Sequence, residues 1–139
     1  GCPVDCAAML TKLFWICLAG ALGTGVRHLV SVWASERFGA AFPYGTLIVN
    51  VTGSFLIAAV MQTAVNVTSF SPTLRLVLTT GLLGGLTTYS SFAFETVKLA
   101  QTGSRGAALL NFGLTSVACF AAVLLGFGAA HLLSAPPAR

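Results

Sequence analysis

The chain has 139 residues, of which 56% are hydrophobic and 7% are charged, and its mean hydropathy is +0.91. Soluble domains carry roughly a quarter of charged residues, so this composition excludes an ordinary water-soluble protein and indicates a membrane protein. The net charge of +4 comes from scattered basic residues without a basic stripe interleaved with aromatics, so membrane lipid is an expected partner and nucleic acid is not.

Four apolar runs are each close to the roughly 20 residues that a membrane-spanning helix needs. They lie at about 10–33, 46–63, 76–100 and 106–133, and the short connections between them contain turn-forming residues. No segment is left for a soluble domain. We therefore expect one all-α integral membrane domain over residues 1–139, with four transmembrane helices.

The first run begins like a signal peptide, because Lys12 precedes ten apolar residues. The residues that follow are equally apolar, so we expect this run to be kept as a spanning helix. Arg27 lies about 21 Å from Leu13 along a hydrocarbon core about 30 Å thick. An arginine at that depth either extends to the headgroups or forms a positive vestibule that attracts anions.

The second run carries an amide, Asn50, about one turn inside the membrane. An amide in lipid must find hydrogen-bond partners. Asn50 therefore either joins two helices or donates to a permeating ion. Gly53 and Ser54, which follow it, allow close helix packing.

The third run has no charge between Leu76 and Phe94, yet its middle contains Gly84-Gly85 and a block of hydroxyls over 87–91. Unpaired backbone groups are costly in hydrocarbon, so a helix broken at this depth requires protein or an ion to satisfy it. We predict a break around the glycine pair that releases carbonyls toward a hard cation such as sodium.

Two aromatic residues of the third run, Tyr89 and Phe92, point in nearly the same direction because they are three positions apart on a helix. Aromatic rings have a positive edge, so two rings turned edge-on can hold a small anion without a formal charge. The alternative is that both rings simply pack in a kinked helix.

The fourth run places Asn111, Thr115 and Cys119 at positions i, i+4 and i+8, which form one stripe. Such a row of small polar groups suits either a dehydrated anion or contact with another helix.

Missing features narrow the function further. The sequence contains no nucleophile–histidine pair at useful spacing, no metal-ligating cluster and no phosphate loop, so an enzyme is not expected. A proton-coupled small-ion or drug transporter would be expected to carry an acid in the membrane centre, and Glu95 lies toward the end of the third helix. That transporter and a non-transporting scaffold remain the alternatives to a channel.

The basic residues do not favour one orientation. With four spans, one side would carry Lys12, Arg75 and Arg139, and the other Arg37, Lys98 and Arg105, with Arg27 near it. Since Lys and Arg in short loops determine orientation, such a balance allows insertion in either direction. An antiparallel homodimer and a fixed orientation both remain open from charge alone.

Two stretches resemble the CrcB/Fluc family of fluoride channels. Residues 45–50 (GTLIVN) resemble the family's Gly-Thr-Leu-x-x-Asn signature, and residues 81–96 (GLLGGLTTYSSFAFET) resemble its broken third helix. Gly23-x-x-x-Arg27 fits its first-helix pattern. The similarity covers essentially the whole transmembrane chain.

The resemblance implies a four-helix subunit in an antiparallel, dual-topology homodimer of the inner (plasma) membrane, with two fluoride pores and one central structural sodium ion. Backbone carbonyls of Gly84 and Thr87 would hold the sodium, and Arg27 would lie in the vestibule. The fluoride pore would be formed by Thr46, Asn50, Tyr89, Ser91, Phe92, Asn111, Thr115 and Cys119.

The resemblance also implies passive, fluoride-selective export down the electrochemical gradient. Two residues depart from the family pattern. Tyr89 stands where Phe is commoner, and Cys119 ends a track in which serine is usual and is a weaker donor than serine.

Overall fold

The computed structural model describes residues 6–134, without the side chains of Leu133 and Ser134, so Arg139 of the charge comparison lies outside it. The described chain is helical with short connections. The helices are α1 (Cys6–Phe38), α2 (Tyr44–Asn66), α3 (Pro72–Leu76, Val77–Leu83 and Gly84–Leu86 in direct succession), α4 (Tyr89–Gln101) and α5 (Arg105–Ser134).

Among the described residues, three helices are long and apolar enough to cross a membrane, namely Cys6–Phe38, Tyr44–Asn66 and Arg105–Leu132. The third apolar run forms two shorter helices, α3 and α4, with an interruption between them. The prediction of an all-helical membrane chain is thereby confirmed, while a fourth crossing requires α3 and α4 to span together.

The turns follow from local sequence. Gly39, after α1, and Gly103, between α4 and α5, have φ values of 83° and 86°, a conformation that glycine adopts without strain. At the start of α3, Ser71 accepts a hydrogen bond from the Leu74 amide and Pro72 takes a first-turn position.

The helices pack in pairs, with α2 most extensively against α5, α1 against α3, and α4 against α5. Glycine allows α1 and α3 to touch through their backbones. A Cβ on Gly23 would overlap the Leu82 carbonyl, and a Cβ on Gly85 would overlap the Gly20 carbonyl. A small apolar core of Val49, Leu83 and Leu86 lies between α2 and α3.

The interruption lies just after the glycine pair around which the sequence predicts it, and not at the glycines themselves. Gly84 is helical, with φ −63° and ψ −36°, and the extended residues are Thr87 (φ −86°, ψ 156°) and Thr88 (φ −154°, ψ 110°). We call Thr87 and Thr88 the break. Gly85 lies against α1, where there is no room for a side chain. The helix ends instead at Thr87 and Thr88, where Asn50 of α2 offers hydrogen-bond partners to the main chain.

The seven residues of Val77–Leu83 form a π-helix, which the sequence does not predict. Gly84 follows the last residue of this wider turn, and its amide donates to both the Thr79 and Gly81 carbonyls. Wide turns of this kind are frequently found at functional sites, and this one ends three residues before the break.

Candidate functional site

A reciprocal pair of hydrogen bonds joins α2 to the break. Asn50 Nδ2 donates to the Thr88 carbonyl over 3.0 Å, and the Thr88 amide donates to Asn50 Oδ1 over 2.8 Å. Both residues are buried. The side-chain amide therefore satisfies the two main-chain groups that an interrupted helix would otherwise leave unpaired.

Thr88 also begins α4. Its hydroxyl accepts a hydrogen bond from the Ser91 amide at 3.2 Å, donates to Ser91 Oγ at 3.0 Å, and lies 3.2 Å from Ser90 Oγ. This is an N-cap, in which a hydroxyl replaces the missing helical acceptor. The hydroxyl block of the sequence thus serves first to end one helix and begin another.

A cavity of about 420 Å³ lies beside the break, and we call it the aromatic cavity. None of its lining residues is charged. It brings together most of the predicted site residues, namely Asn50, Gly84, Thr87, Tyr89, Phe92, Thr115 and Cys119.

The two predicted rings meet at the wall of the aromatic cavity. The centroids of Tyr89 and Phe92 are 5.6 Å apart and their planes are inclined by 58°. Phe92 is buried and stacks on Phe112 at 6.2 Å, whereas Tyr89 is 78% exposed in the single chain. Phe92 is therefore fixed by the protein, and Tyr89 is open to whatever lies beyond the subunit.

The other four predicted residues, Thr46 among them, lie outside this cavity. Asn111, only 1% exposed, sits between α4 and α5, where its Nδ2 donates to Thr96 Oγ1 at 2.8 Å. Ser91 is held in the cap of α4. Arg27 is half-buried, and its carbonyl accepts a hydrogen bond from Ser31, but it lines neither of the two described cavities.

Thr46 belongs to a second cavity of about 490 Å³, which we call the loop cavity because residues of both the α1–α2 and α4–α5 connections line it. The two connections therefore lie at one end of the bundle, as the sequence predicts. Thr46 Oγ1 donates to Glu95 Oε1 over 2.9 Å, and Lys98 lines the same cavity.

Sequence reasoning missed three residues that the structure makes important. Thr88 pairs with Asn50, Thr96 pairs with Asn111, and Glu95 pairs with Thr46. The Glu95 Oε2 atom is buried without a hydrogen-bond partner among the described residues. All three lie in the stretch 81–96 that resembles the broken third helix of the CrcB/Fluc family, but their partners on α2 and α5 are distant in sequence.

The backbone at the break suits a hard cation. The Thr88 amide donates to Asn50 instead of to the Gly84 carbonyl four residues earlier, and the Ser91 amide donates to Thr88 Oγ1 instead of to the Thr87 carbonyl. Both carbonyl-bearing residues line the aromatic cavity. Carbonyls freed in this way are the ligands that sodium takes at broken membrane helices, so the residues present fit that ion.

Comparison with known proteins identifies the family. The family described as CrcB-like protein, Camphor Resistance (CrcB), matches residues 14–127. A fluoride-specific ion channel FluC of Sorangium cellulosum (strain So ce56) is 50% identical over 126 residues, which cover 91% of this chain and 99% of the relative. The FluC of Anaeromyxobacter sp. (strain K) is 48% identical over 120 residues, covering 84% of this chain and 95% of the relative.

A third relative, the FluC of Roseiflexus sp. (strain RS-1), is 49% identical over 122 residues, covering 85% of this chain and 95% of its own length. These relatives are channels rather than enzymes. With its apolar helices, the chain is a multi-pass membrane protein, which in bacteria places it in the plasma membrane. The family match and the extent of these identities show that the chain belongs to the CrcB family.

Proposed function

We propose that this protein is a fluoride-selective passive ion channel that lets cytoplasmic fluoride leave the cell down its electrochemical gradient. The aromatic cavity carries the proposal, because an uncharged lining joins two aromatic rings to the Asn50 amide beside a broken helix. The names of the relatives, fluoride-specific ion channels at 42–50% identity, support the same choice of ion.

The lining offers a specific set of donors. One N–H of Asn50 is used by Thr88, and the second has no partner among the described residues. Ser116 also lines the cavity, and the ring edges of Tyr89 and Phe92 add positive potential. Fluoride is small and strongly hydrated, so such groups would replace its water, while the larger chloride would be excluded by size.

Thr115 has a different role in this arrangement. Its hydroxyl donates to Asn111 Oδ1 over 3.3 Å, so its single proton is already committed. Thr115 therefore presents lone pairs and a methyl group to the cavity, and Asn50 and Ser116 supply the protons that meet the anion.

The working unit in this proposal is an antiparallel homodimer with two pores, in which α3 and α4 together make the fourth crossing. The balanced basic residues support either orientation, and the exposure of Tyr89 leaves a wall of the cavity for a second copy to complete. Sodium, bound by Gly84 and Thr87 carbonyls of both copies, would supply a fixed central charge that holds the breaks together.

A proton-coupled small-ion or drug transporter remains the second candidate. The half-buried Glu95, whose Oε2 atom has no partner among the described residues, favours it, because transporters use such carboxylates to exchange protons for substrate. Glu95 lines the loop cavity and not the aromatic cavity, so the carboxylate is not part of the uncharged lining beside the break.

Fluoride efflux from liposomes that contain the purified protein separates the two candidates. With a potassium ionophore as the only charge shunt and equal pH on both sides, a channel releases fluoride at once, and an imposed proton gradient does not change its initial rate. A release that requires the proton gradient would establish the coupled transporter instead.

A further inference from the structure

We propose that Asn50 and Gly53 of α2 are the positioning residues of the cation site, and that together they determine which carbonyls of the break are free to bind sodium. The inference rests on the cation of the proposed function. It concerns how this chain builds the site, since neither residue needs to touch the ion.

Asn50 acts by withdrawing a donor. In a continuous helix the Thr88 amide would bond the Gly84 carbonyl, four residues before it. Here that amide donates to Asn50 Oδ1 at 2.8 Å, and Nδ2 holds the Thr88 carbonyl at 3.0 Å. The Gly84 carbonyl is released because a buried amide on the neighbouring helix offers the Thr88 main chain a complete pair of hydrogen bonds.

Gly53 acts through shape. It lies one helical turn after Asn50 and is buried, and a Cβ built on it would overlap the Thr87 Cγ2 methyl group while remaining 3.7 Å from Thr87 Cβ. The Thr87 side chain therefore fits into the space left by the missing Cβ. Its hydroxyl is fixed as well, since Oγ1 donates to the Leu83 carbonyl over 2.9 Å.

The two residues hold successive positions of the break, Gly53 receiving Thr87 and Asn50 pairing with Thr88. Their spacing of three residues places both on one face of α2. The orientation of the Thr87 and Gly84 carbonyls is therefore imposed by α2. Because Asn50 also lines the aromatic cavity, the same residue connects the cation site with the proposed anion path.

Thermal unfolding of the purified full-length chain in detergent, titrated with NaCl against KCl at constant ionic strength, tests this directly. Bound sodium raises the unfolding temperature, so the titration yields an apparent affinity without any transport. We expect Gly53→Ala to weaken that affinity by about tenfold or more, and Asn50→Leu to do the same.

The decisive variant is the double substitution Gly53→Ala with Thr87→Ser. Serine keeps the hydroxyl that bonds Leu83 and removes only the methyl group that the new Cβ would strike, so the sodium response should return to that of Thr87→Ser alone. Thr52→Ala, at an exposed position of α2 between the two residues, is the matched control and should leave the response unchanged.

A sodium response that Gly53→Ala leaves intact, or that Thr87→Ser does not restore, overturns the inference. Fluoride efflux on the same samples separates this result from a failure of the proposed function. If the wild-type protein releases fluoride but shows no sodium response, both the inference and the proposed sodium site are wrong. The proposed channel function is then still supported.

Discussion

Asn111 joins α4 to α5 through a single buried amide. Its Nδ2 donates to Thr96 Oγ1, its Oδ1 accepts from Thr115, and Thr96 in turn donates to the Phe92 carbonyl at 2.7 Å. This network fixes the backbone behind the Phe92 ring and the hydroxyl of Thr115, both of which line the aromatic cavity. Asn111 therefore positions two lining residues of the aromatic cavity without lining the cavity itself.

Replacing Asn111 by Leu should lower the free energy of unfolding by about 1–3 kcal/mol, because the half-buried Thr96 and buried Thr115 hydroxyls lose their partner. Unfolding in detergent measures the loss. Asn66→Ala is a suitable comparison, since Asn66 is exposed at the end of α2 and only accepts a bond from Gln62. Equal effects of the two substitutions would show that the buried network does not stabilise the fold.

Replacing both Tyr89 and Phe92 by Ile should abolish fluoride efflux while leaving the protein assembled, because aliphatic side chains fill the space without presenting a positive edge. Size-exclusion chromatography checks assembly. Phe94→Ile is the control, since Phe94 is 68% exposed on the same helix and lies outside both cavities. Undiminished efflux in the double variant would disprove a role for the rings.

The spacing of residues predicts which side chains come near the aromatic cavity better than it predicts their roles. Residues at i, i+4 and i+8 turn by about 80° around a helix, so the stripe from Asn111 to Cys119 cannot face one neighbour throughout. The structure turns Asn111 toward Thr96 and leaves Thr115 and Cys119 on the cavity. The partners of Asn50 could not be predicted, because they depend on the packing of α2 against the break.

Among the elements, α1 and α3 are held together by backbone contact, which glycine alone permits. Gly20 and Gly23 of α1 lie against 81–86 of α3, and added Cβ atoms at Gly23, Gly81 and Gly85 would overlap the opposite backbone. Small residues at helix interfaces provide this close packing in membranes. The contact presses α3 against α1 up to the residues immediately before the break.

Gly23→Ala should therefore destabilise the protein by about 1–3 kcal/mol, since the new methyl group forces the helices apart. Gly25→Ala on the same helix meets no atom within 4 Å and should be neutral or slightly stabilising. Thermal unfolding of the two variants side by side gives the comparison. A loss of stability in both, or in neither, would argue against the backbone contact.

The third apolar run also shows what helix propensity can and cannot predict. A low helix propensity correctly indicates an interruption in the third run, and the glycine pair is the natural choice because glycine is a poor helix former. The structure keeps both glycines helical and opens the chain three residues later. Tertiary partners on α1 and α2 decide the position, and those partners are distant in sequence.

At the scale of the whole molecule, the balanced charge supports the proposed antiparallel pair. Extra lysines should destroy that balance, because basic residues keep a loop in the cytoplasm. We expect Thr68→Lys with Ser69→Lys, or Ala100→Lys with Gln101→Lys, to fix opposite orientations and to abolish fluoride efflux when each variant is expressed alone. All four positions are exposed near helix ends.

Co-expression of the two oppositely oriented variants should restore fluoride efflux from cells, since each then finds an inverted partner. Two copies of the same variant provide the control for expression level. Full efflux from either variant alone would mean that the channel does not need two orientations, and the antiparallel dimer would have to be abandoned.

Selective conduction of fluoride is the property on which the proposed function depends. The most direct measurement is the release of fluoride and of chloride from parallel sets of liposomes holding the same purified protein, with a potassium shunt and no proton gradient. We predict rapid loss of fluoride and retention of chloride. Equal release of both anions, or retention of both, would contradict the account.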